Sequence, residues 1–586
     1  MAHYEQWPQQ QLIARIQELE AQVKQLRPID SPGQATSSSQ TAQATLNPSL
    51  SEESQEIPYR KPPKQPAKAF DASKYSTRLI ALKFAYLGQK YNGFEHHNNN
   101  TTPLPTIEEE LWKALVKTRL IHPTPRDGAD KSQYGRIDKK TFESWEANGA
   151  DVNWDGCEYS KCGRTDRGVS AFGQVIGVRV RSNRPLPKSA PASPPTPPRS
   201  EEPAESSTSL PEPEKPFDDL QDELSYIQLL NRVLPPDIRI YAWCPRPPPD
   251  FSARFSCKER RYKYFFTNPC FAPVPGASGL YTPASTSSSS PSPPRREGWL
   301  DIPAMRTACK HLTGLHDFRN FCKIDASKQL TNFTRRIFYA DIEEISPLSI
   351  PTFLTDPALQ SSEQQEQKMY AFVLHGSAFL WHQVRCIVAV LFLVGQGLEG
   401  PELVQRLLDV GENPARPKYE MASDAPLVLW DCVFPRAEEV QGAEVREKGY
   451  EDRMEWVYVG DVGGREEKGG GGKGRGKWGR GGVMDDLWEV WRGRKMEETL
   501  GALLMDEVAK LGTGGLGDGG GVEAGGSMKG GPRVFDGGDM GRAKGNYIPV
   551  LQRERGEAPE VINERYARKK GLDTSKIKAK DEDADE

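Results

Sequence analysis

No run of apolar residues in this chain reaches the ~18 needed to cross a bilayer as a helix, so no membrane partner is expected. The N-terminus carries no signal-peptide pattern, and cytoplasm and/or nucleus is the expected location. Cysteine is sparse: nine residues, of which only Cys157 and Cys162 lie close together. With no second pair and no neighbouring His, the spacing points to no metal, and the thiols read as reduced and mostly structural. Charge of one sign is not in excess either, since a formal net charge of −4 favours no particular partner. Apolar residues make up only 36% of the 586, against 53 Gly and 48 Pro gathered in a few tracts. Such tracts bury too little surface to offset their ordering entropy. Roughly 330 to 360 residues are left for a packed core, enough for two modest α/β units.

What is there falls into segments. Leu12, Ile16, Leu19, Val23 and Leu26 alternate in steps of four and three, a short amphipathic helix within 1–30 that Pro28 ends. A Ser-, Gln- and Pro-rich linker fills 31–74. The periodicity predicts a first lobe over 75–245, with polar or Pro/Ser-rich insertions at 122–157 and 185–216, and a second over 246–435, with insertions at 276–295 and 354–368. Each lobe alternates strands of period two with amphipathic helices, for example the strand over 79–86 and the helix opened by the capping pair Thr106 and Glu109. The segment 382–394 is apolar all round, as a buried helix should be. The fold class is therefore α/β (α+β): two similar lobes of mixed or antiparallel sheet with helices and a cleft between them. A Gly-rich low-complexity tail is expected at 436–546, with a helical island over 484–511, and a basic, partly helical segment at 547–586.

The densest chemistry is the run Lys161-Cys162-Gly163-Arg164-Thr165-Asp166-Arg167-Gly168-Val169. Glycines on either side let the backbone turn sharply and let a bulky partner approach. A carboxylate set between two guanidiniums should stay ionised, which suits a nucleophile working beside phosphates. A second constellation is Asp250-Phe251-Ser252-Ala253-Arg254-Phe255-Ser256, followed by Arg260-Arg261-Tyr262-Lys263-Tyr264. Tyr262, set among these basic residues, offers an aromatic face for stacking. The third is Ala378-Phe379-Leu380-Trp381-His382-Gln383-Val384-Arg385. An Arg entering a buried helix needs an anionic partner, and Asp166 is the obvious one. His382 reads as a satisfied core histidine.

These three blocks together resemble the signature blocks of the TruA family of tRNA pseudouridine synthases. Gly88-Gln89-Lys90-Tyr91-Asn92-Gly93-Phe94, the block 421–429 and Tyr547-Ile548-Pro549 are similar to its eukaryotic tRNA pseudouridine(38/39) synthase branch. Ser252 stands where the family usually has His, so no role is carried onto it. The resemblance implies an isomerase with no cofactor and tRNA as partner. Asp166 is then the nucleophile, attacking either C6 of the uracil or C1′ of the ribose. Arg164 stabilises the vacated base stack, Tyr262 stacks on the flipped base, and Arg385 pairs with Asp166. Arg167, Arg254, Arg260 and Arg261 are candidate RNA contacts. Homodimers occur in the family, so self-association stays open. The other readings are the same chemistry at another RNA site, or a catalytically silent RNA-binding module on the same scaffold.

Overall fold

Strand β1 (Ser76–Tyr86) realises the expected alternation: Ile80, Leu82, Phe84 and Tyr86 are at most 1% exposed and line one core. It pairs antiparallel with the long β3 (Ser170–Ser182), beside which lies the short β2 (Ser160–Lys161), and with β4 (Ile238–Cys244). Helices α1 (Ile107–Lys117) and α3 (Tyr226–Asn231) cover this face. The capping pair is half formed. Thr106 Oγ1 accepts the Glu109 amide at 3.3 Å, but the Glu109 carboxylate turns to Lys113 (2.7 Å) and to the Ala150 amide (2.9 Å). Part of the expected polar insertion packs as well, since Trp145 of α2 (Lys139–Asn148) lies 5.1 Å from Trp112.

This computed structural model describes residues 70–97, 102–124, 139–186, 216–272, 280–281, 295–345, 369–442, 447–461, 476–479, 481–511, 533–538, 542–543 and 547–572. The amphipathic repeat at 12–26 lies outside them. In the second half, β5 (Glu259–Thr267) pairs with β10 (Met369–Gly376) and with β11 (Leu427–Val433), β10 with β9 (Thr334–Ile345), and β9 with β8 (Gly314–Asp317), all antiparallel. A two-stranded ribbon, β6 (Leu280–Tyr281) with β7 (Arg295–Arg296), stands apart. Helices α4 (Ile302–Lys310), α5 (Gln383–Gly395) and α6 (Glu402–Leu408) build the second core, with α5 buried along its whole length.

The two halves share one ten-stranded mixed sheet, joined where β11 runs parallel to β3 at Val428–Ser170 and Leu429–Ala171. That seam sits at the start of β3, directly after the Asp166 loop. The mixed αβ class is as expected, but the reading of 436–546 as a plain tail is corrected. β12 (Val457–Tyr458) pairs with β4 at the edge of the sheet, and Val534 and Phe535 are 4% and 7% exposed in the second core. Gly-rich composition hid them because a few apolar residues within a long polar tract carry no period. The helical island is α7 (Val483–Lys510), and the basic segment contains α8 (Pro559–Lys570). None of the described helices is long and apolar enough to cross a membrane.

Candidate active site

The loop between β2 and β3 is held by the Gly-rich aromatic turn that follows β1. Gly93 has φ +86°, and a Cβ there would lie 2.9 Å from the Thr165 carbonyl; one on Gly88 would overlap the Val169 carbonyl. The turn presses on the loop and bonds to it: Phe94 N donates to Thr165 O (3.0 Å) and Gly88 N to Ser170 Oγ (3.0 Å). Beneath, the Thr165 and Tyr86 hydroxyls meet at 2.7 Å. Buried Gln174 accepts the Gly163 amide (3.1 Å) and donates to the Gly163 carbonyl (3.0 Å). Val169 N closes a tight turn onto Asp166 O at 3.1 Å, with Gly168 at φ +80°. Asp166 is thus presented by a backbone with little freedom to move.

Its carboxylate is about 30% exposed, and His382 Nε2 lies 3.4 Å from Oδ2. Burial pushes its pKa above the ordinary aspartate value. The Arg385 charge, a hydrogen bond from Trp381 and the Lys328 charge oppose that push, while nearby Asp424 adds to it. The two sequence neighbours are not what steadies it. Arg164 is exposed and pairs with Glu95 at 3.1 Å, and Arg167 is exposed. Tertiary neighbours have replaced adjacent ones.

Arg385 is 9% exposed, and its Nε donates to the Ala422 carbonyl at 2.7 Å. Among the described residues no ion pair joins it directly to Asp166, so the expected pairing is a longer-range charge interaction. His382 departs from the reading of a satisfied core histidine. It caps α5 in the left-handed region (φ 61°, ψ 13°), and its Nδ1 is buried with no hydrogen-bond partner among the described residues. Burial, reinforced by Arg385, Lys323 and Arg416, lowers its pKa to about 4. The neutral ring is therefore favoured at pH 7, with its Nε2 edge turned toward the carboxylate. Trp381, also missed, is 41% exposed, with the Lys323 and Lys328 ammoniums 5.2 and 5.8 Å from its ring. Its signal was its place beside His382 in the third block.

Tyr262 lies between the two cores, its ring edge-on to Phe379 at 5.0 Å. Burial above all keeps its phenol protonated, and the Asp166 charge acts in the same direction. Arg254 is exposed, with its guanidinium 5.3 Å over the ring of Phe255, itself 68% exposed. Arg260 and Arg261 do not fit the reading as free RNA contacts. Arg260 donates to the carbonyls of Ser377 (2.8 Å), Arg254 (3.1 Å) and Cys162 (3.2 Å). Arg261 bonds Glu259 (2.7 Å) and the Tyr450 carbonyl (3.0 Å). Both guanidiniums turn toward acceptors in neighbouring loops and strands, mostly backbone carbonyls and, for Arg261, the Glu259 carboxylate. The structure brings Asp166, Tyr262, His382 and Arg385 to one junction and leaves Arg164, Arg167 and Arg254 on its rim.

Residues 308–435 match the family model described as tRNA pseudouridine synthase. The tRNA pseudouridine(38/39) synthase of Saccharomyces cerevisiae is 37% identical over 432 residues, which cover 74% of this chain and 72% of that protein. Those of Mus musculus and Homo sapiens are 37% and 36% identical over 380 residues, 65% of this chain and 60% of each relative. Length and identity of the match, set beside a ten-stranded sheet that carries the Asp166 loop at its seam, establish that the chain belongs to the TruA family of tRNA pseudouridine synthases.

Proposed function

We propose that this protein isomerises uridine to pseudouridine in tRNA, at positions 38 and 39 of the anticodon stem-loop, with Asp166 as nucleophile. The observation that carries the reading is the half-buried Asp166 carboxylate, held rigidly at the seam and faced by His382, Arg385 and Tyr262. The reaction needs a flipped uridine, and base extrusion costs a few kcal/mol, least near a loop. The exposure of Arg164 on the rim supports it as the residue that fills the vacated stack, and Tyr262 offers the base a face. Asp166 attacks C6 or C1′, the N1–C1′ bond breaks, the base turns, C5 bonds to C1′, and the bond between the Asp166 carboxylate and its carbon breaks, which frees the carboxylate. The proton on C5 leaves to solvent and N1 gains one, so no oxidant or group donor is consumed. His382, its pKa lowered and its Nε2 edge 3.4 Å from the carboxylate, flanks Asp166 without neutralising it. Exposed Arg167 and Arg254, with the lysine-flanked Trp381, supply the phosphate-binding and stacking rim.

Tritium release from tRNA labelled at C5 of uridine tests the chemistry, and mapping pseudouridine on individual tRNAs tests the position. Release from the wild type and none from Asp166→Asn is the expected result. Binding of tRNA with no release by the wild type would make the protein an RNA-binding module on this scaffold. Pseudouridine confined to other positions would overturn the 38/39 assignment alone.

A further inference from the structure

Cysteine spacing pointed to no metal, yet the fold gathers three thiols that lie far apart in sequence. Cys162 directly follows β2, Cys257 lies two residues before the start of β5, and Cys432 lies in β11 opposite Arg260. Their exposures are 5%, 4% and 0%, and their sulfurs all lie within 4.8 Å of one another. We propose that Cys162, Cys257 and Cys432 form a binding site for a divalent thiophilic cation of the zinc and cadmium class. Sulfurs bound at about 2.3 Å to one such ion stand about 4 Å apart, so the trio needs only a sub-ångström contraction. Three buried thiols could also be ordinary packing groups. What separates this cluster from packing is its charge balance.

The guanidinium of Arg260 lies against the cluster, donating to the backbone carbonyls of Cys162 (3.2 Å) and Cys257 (3.4 Å) as well as those of Ser377 and Arg254. Among the described residues it has no carboxylate at ion-pair distance. A partly buried cation with only carbonyl partners favours an anion beside it. Three thiolates around a divalent ion carry a net charge of −1, and Arg260 brings the site to zero. Binding breaks three S–H bonds, including the one Cys257 now directs at the Glu259 carbonyl (3.3 Å), and forms three metal–sulfur bonds. Three protons go to solvent and nothing is oxidised or reduced. The bound ion would tie Cys162, four residues upstream of Asp166, to β5 and β11. Its role is a staple on the signature loop and not a Lewis acid in the reaction.

The test uses the full-length protein, reduced and stripped of metal. Cadmium titration should produce the ultraviolet thiolate-to-cadmium charge-transfer band, saturating at one ion per chain, with protons released and affinity rising with pH. Zinc should raise the melting temperature. Cys432→Ala should lose both effects, whereas Cys309→Ala, buried in α4, should keep them. X-ray absorption on the zinc-loaded wild type reads the ligands without any variant and should show a sulfur shell at about 2.3 Å. No band in the wild type, a band that survives Cys432→Ala, or a shell of nitrogen and oxygen alone would overturn the site. None of these outcomes bears on tritium release, so the proposal stands or falls apart from the isomerase reading.

Discussion

At Asp166 two demands conflict. The proposed role as nucleophile needs its charge, and burial makes that charge costly. Because burial raises the pKa in the folded state, ionisation weighs against folding: the folded protein holds its proton to higher pH than the unfolded chain does. Asp166→Asn should therefore abolish turnover, leave tRNA affinity within a few fold, and melt at the same or a higher temperature than wild type at pH 7. Calorimetry beside the activity assay checks this, and a clearly lowered melting temperature would contradict the sign. Arg385 is the largest favourable charge on the carboxylate. Its replacement by Met should raise the Asp166 pKa further, moving the acid limb of kcat/KM to higher pH, which a pH–rate profile reads directly. A limb unmoved by the change would detach Arg385 from Asp166. For Tyr262, the Phe variant keeps the π-face and should bind tRNA normally while slowing the loss of the C5 proton. The Leu variant loses the stacking surface too, at roughly 1 to 3 kcal/mol. Full turnover in Phe with lowered melting in Leu alone would return Tyr262 to the core.

Single elements carry more than their composition suggested. Residues 533–538 interrupt a Gly-rich stretch, yet Phe535 packs edge-to-face on Phe392 of α5 at 4.7 Å, and its amide and carbonyl both bond Gln396 (2.7 and 2.6 Å). The Gly537 carbonyl accepts the Tyr264 hydroxyl at 3.0 Å, and the Ser423 amide donates to the same carbonyl at 2.8 Å. This strap steadies the back of the helix whose first turn presents His382 and Arg385. Phe535→Ala should cost about 3 kcal/mol of stability, by urea denaturation, with activity falling only as folded protein falls. A loss below about 0.5 kcal/mol would mean the strap is surface decoration. The turn after β1 works in the opposite way: Gly88 and Gly93 matter because any side chain there would push the signature loop out of place.

For the molecule as a whole, net charge is a poor guide to RNA binding, because the basic groups that matter are few and local. Arg167→Ala and Arg254→Ala should each weaken tRNA binding without lowering the chemical step at saturating tRNA. Each should flatten the slope of log affinity against log salt by about one phosphate contact, read from binding isotherms at several salt concentrations. Arg260→Ala and Arg261→Ala should instead act mainly on folding, since their guanidiniums satisfy backbone carbonyls and Glu259. Equal salt slopes for all four variants would show that the inward pair also reaches RNA.

From the sequence alone came the element types, the alternating strands, the buried α5 and the three blocks proposed to carry the chemistry. Those signals are local: periodicity and contiguous motifs survive in one dimension. Asp166, Tyr262 and Arg385 could each be singled out from a recognisable block, and the fold brings them to one junction. What surrounds them could not be singled out. Only the folded chain decided that Arg164 turns to Glu95, that His382 faces Asp166, that Arg260 serves carbonyls, that three distant cysteines converge, and that pieces of a Gly-rich tract close the second core. Each of these depends on which strand lies beside which in a single sheet. Burial and the distance between charges are properties of that arrangement, and no spacing along the chain contains them.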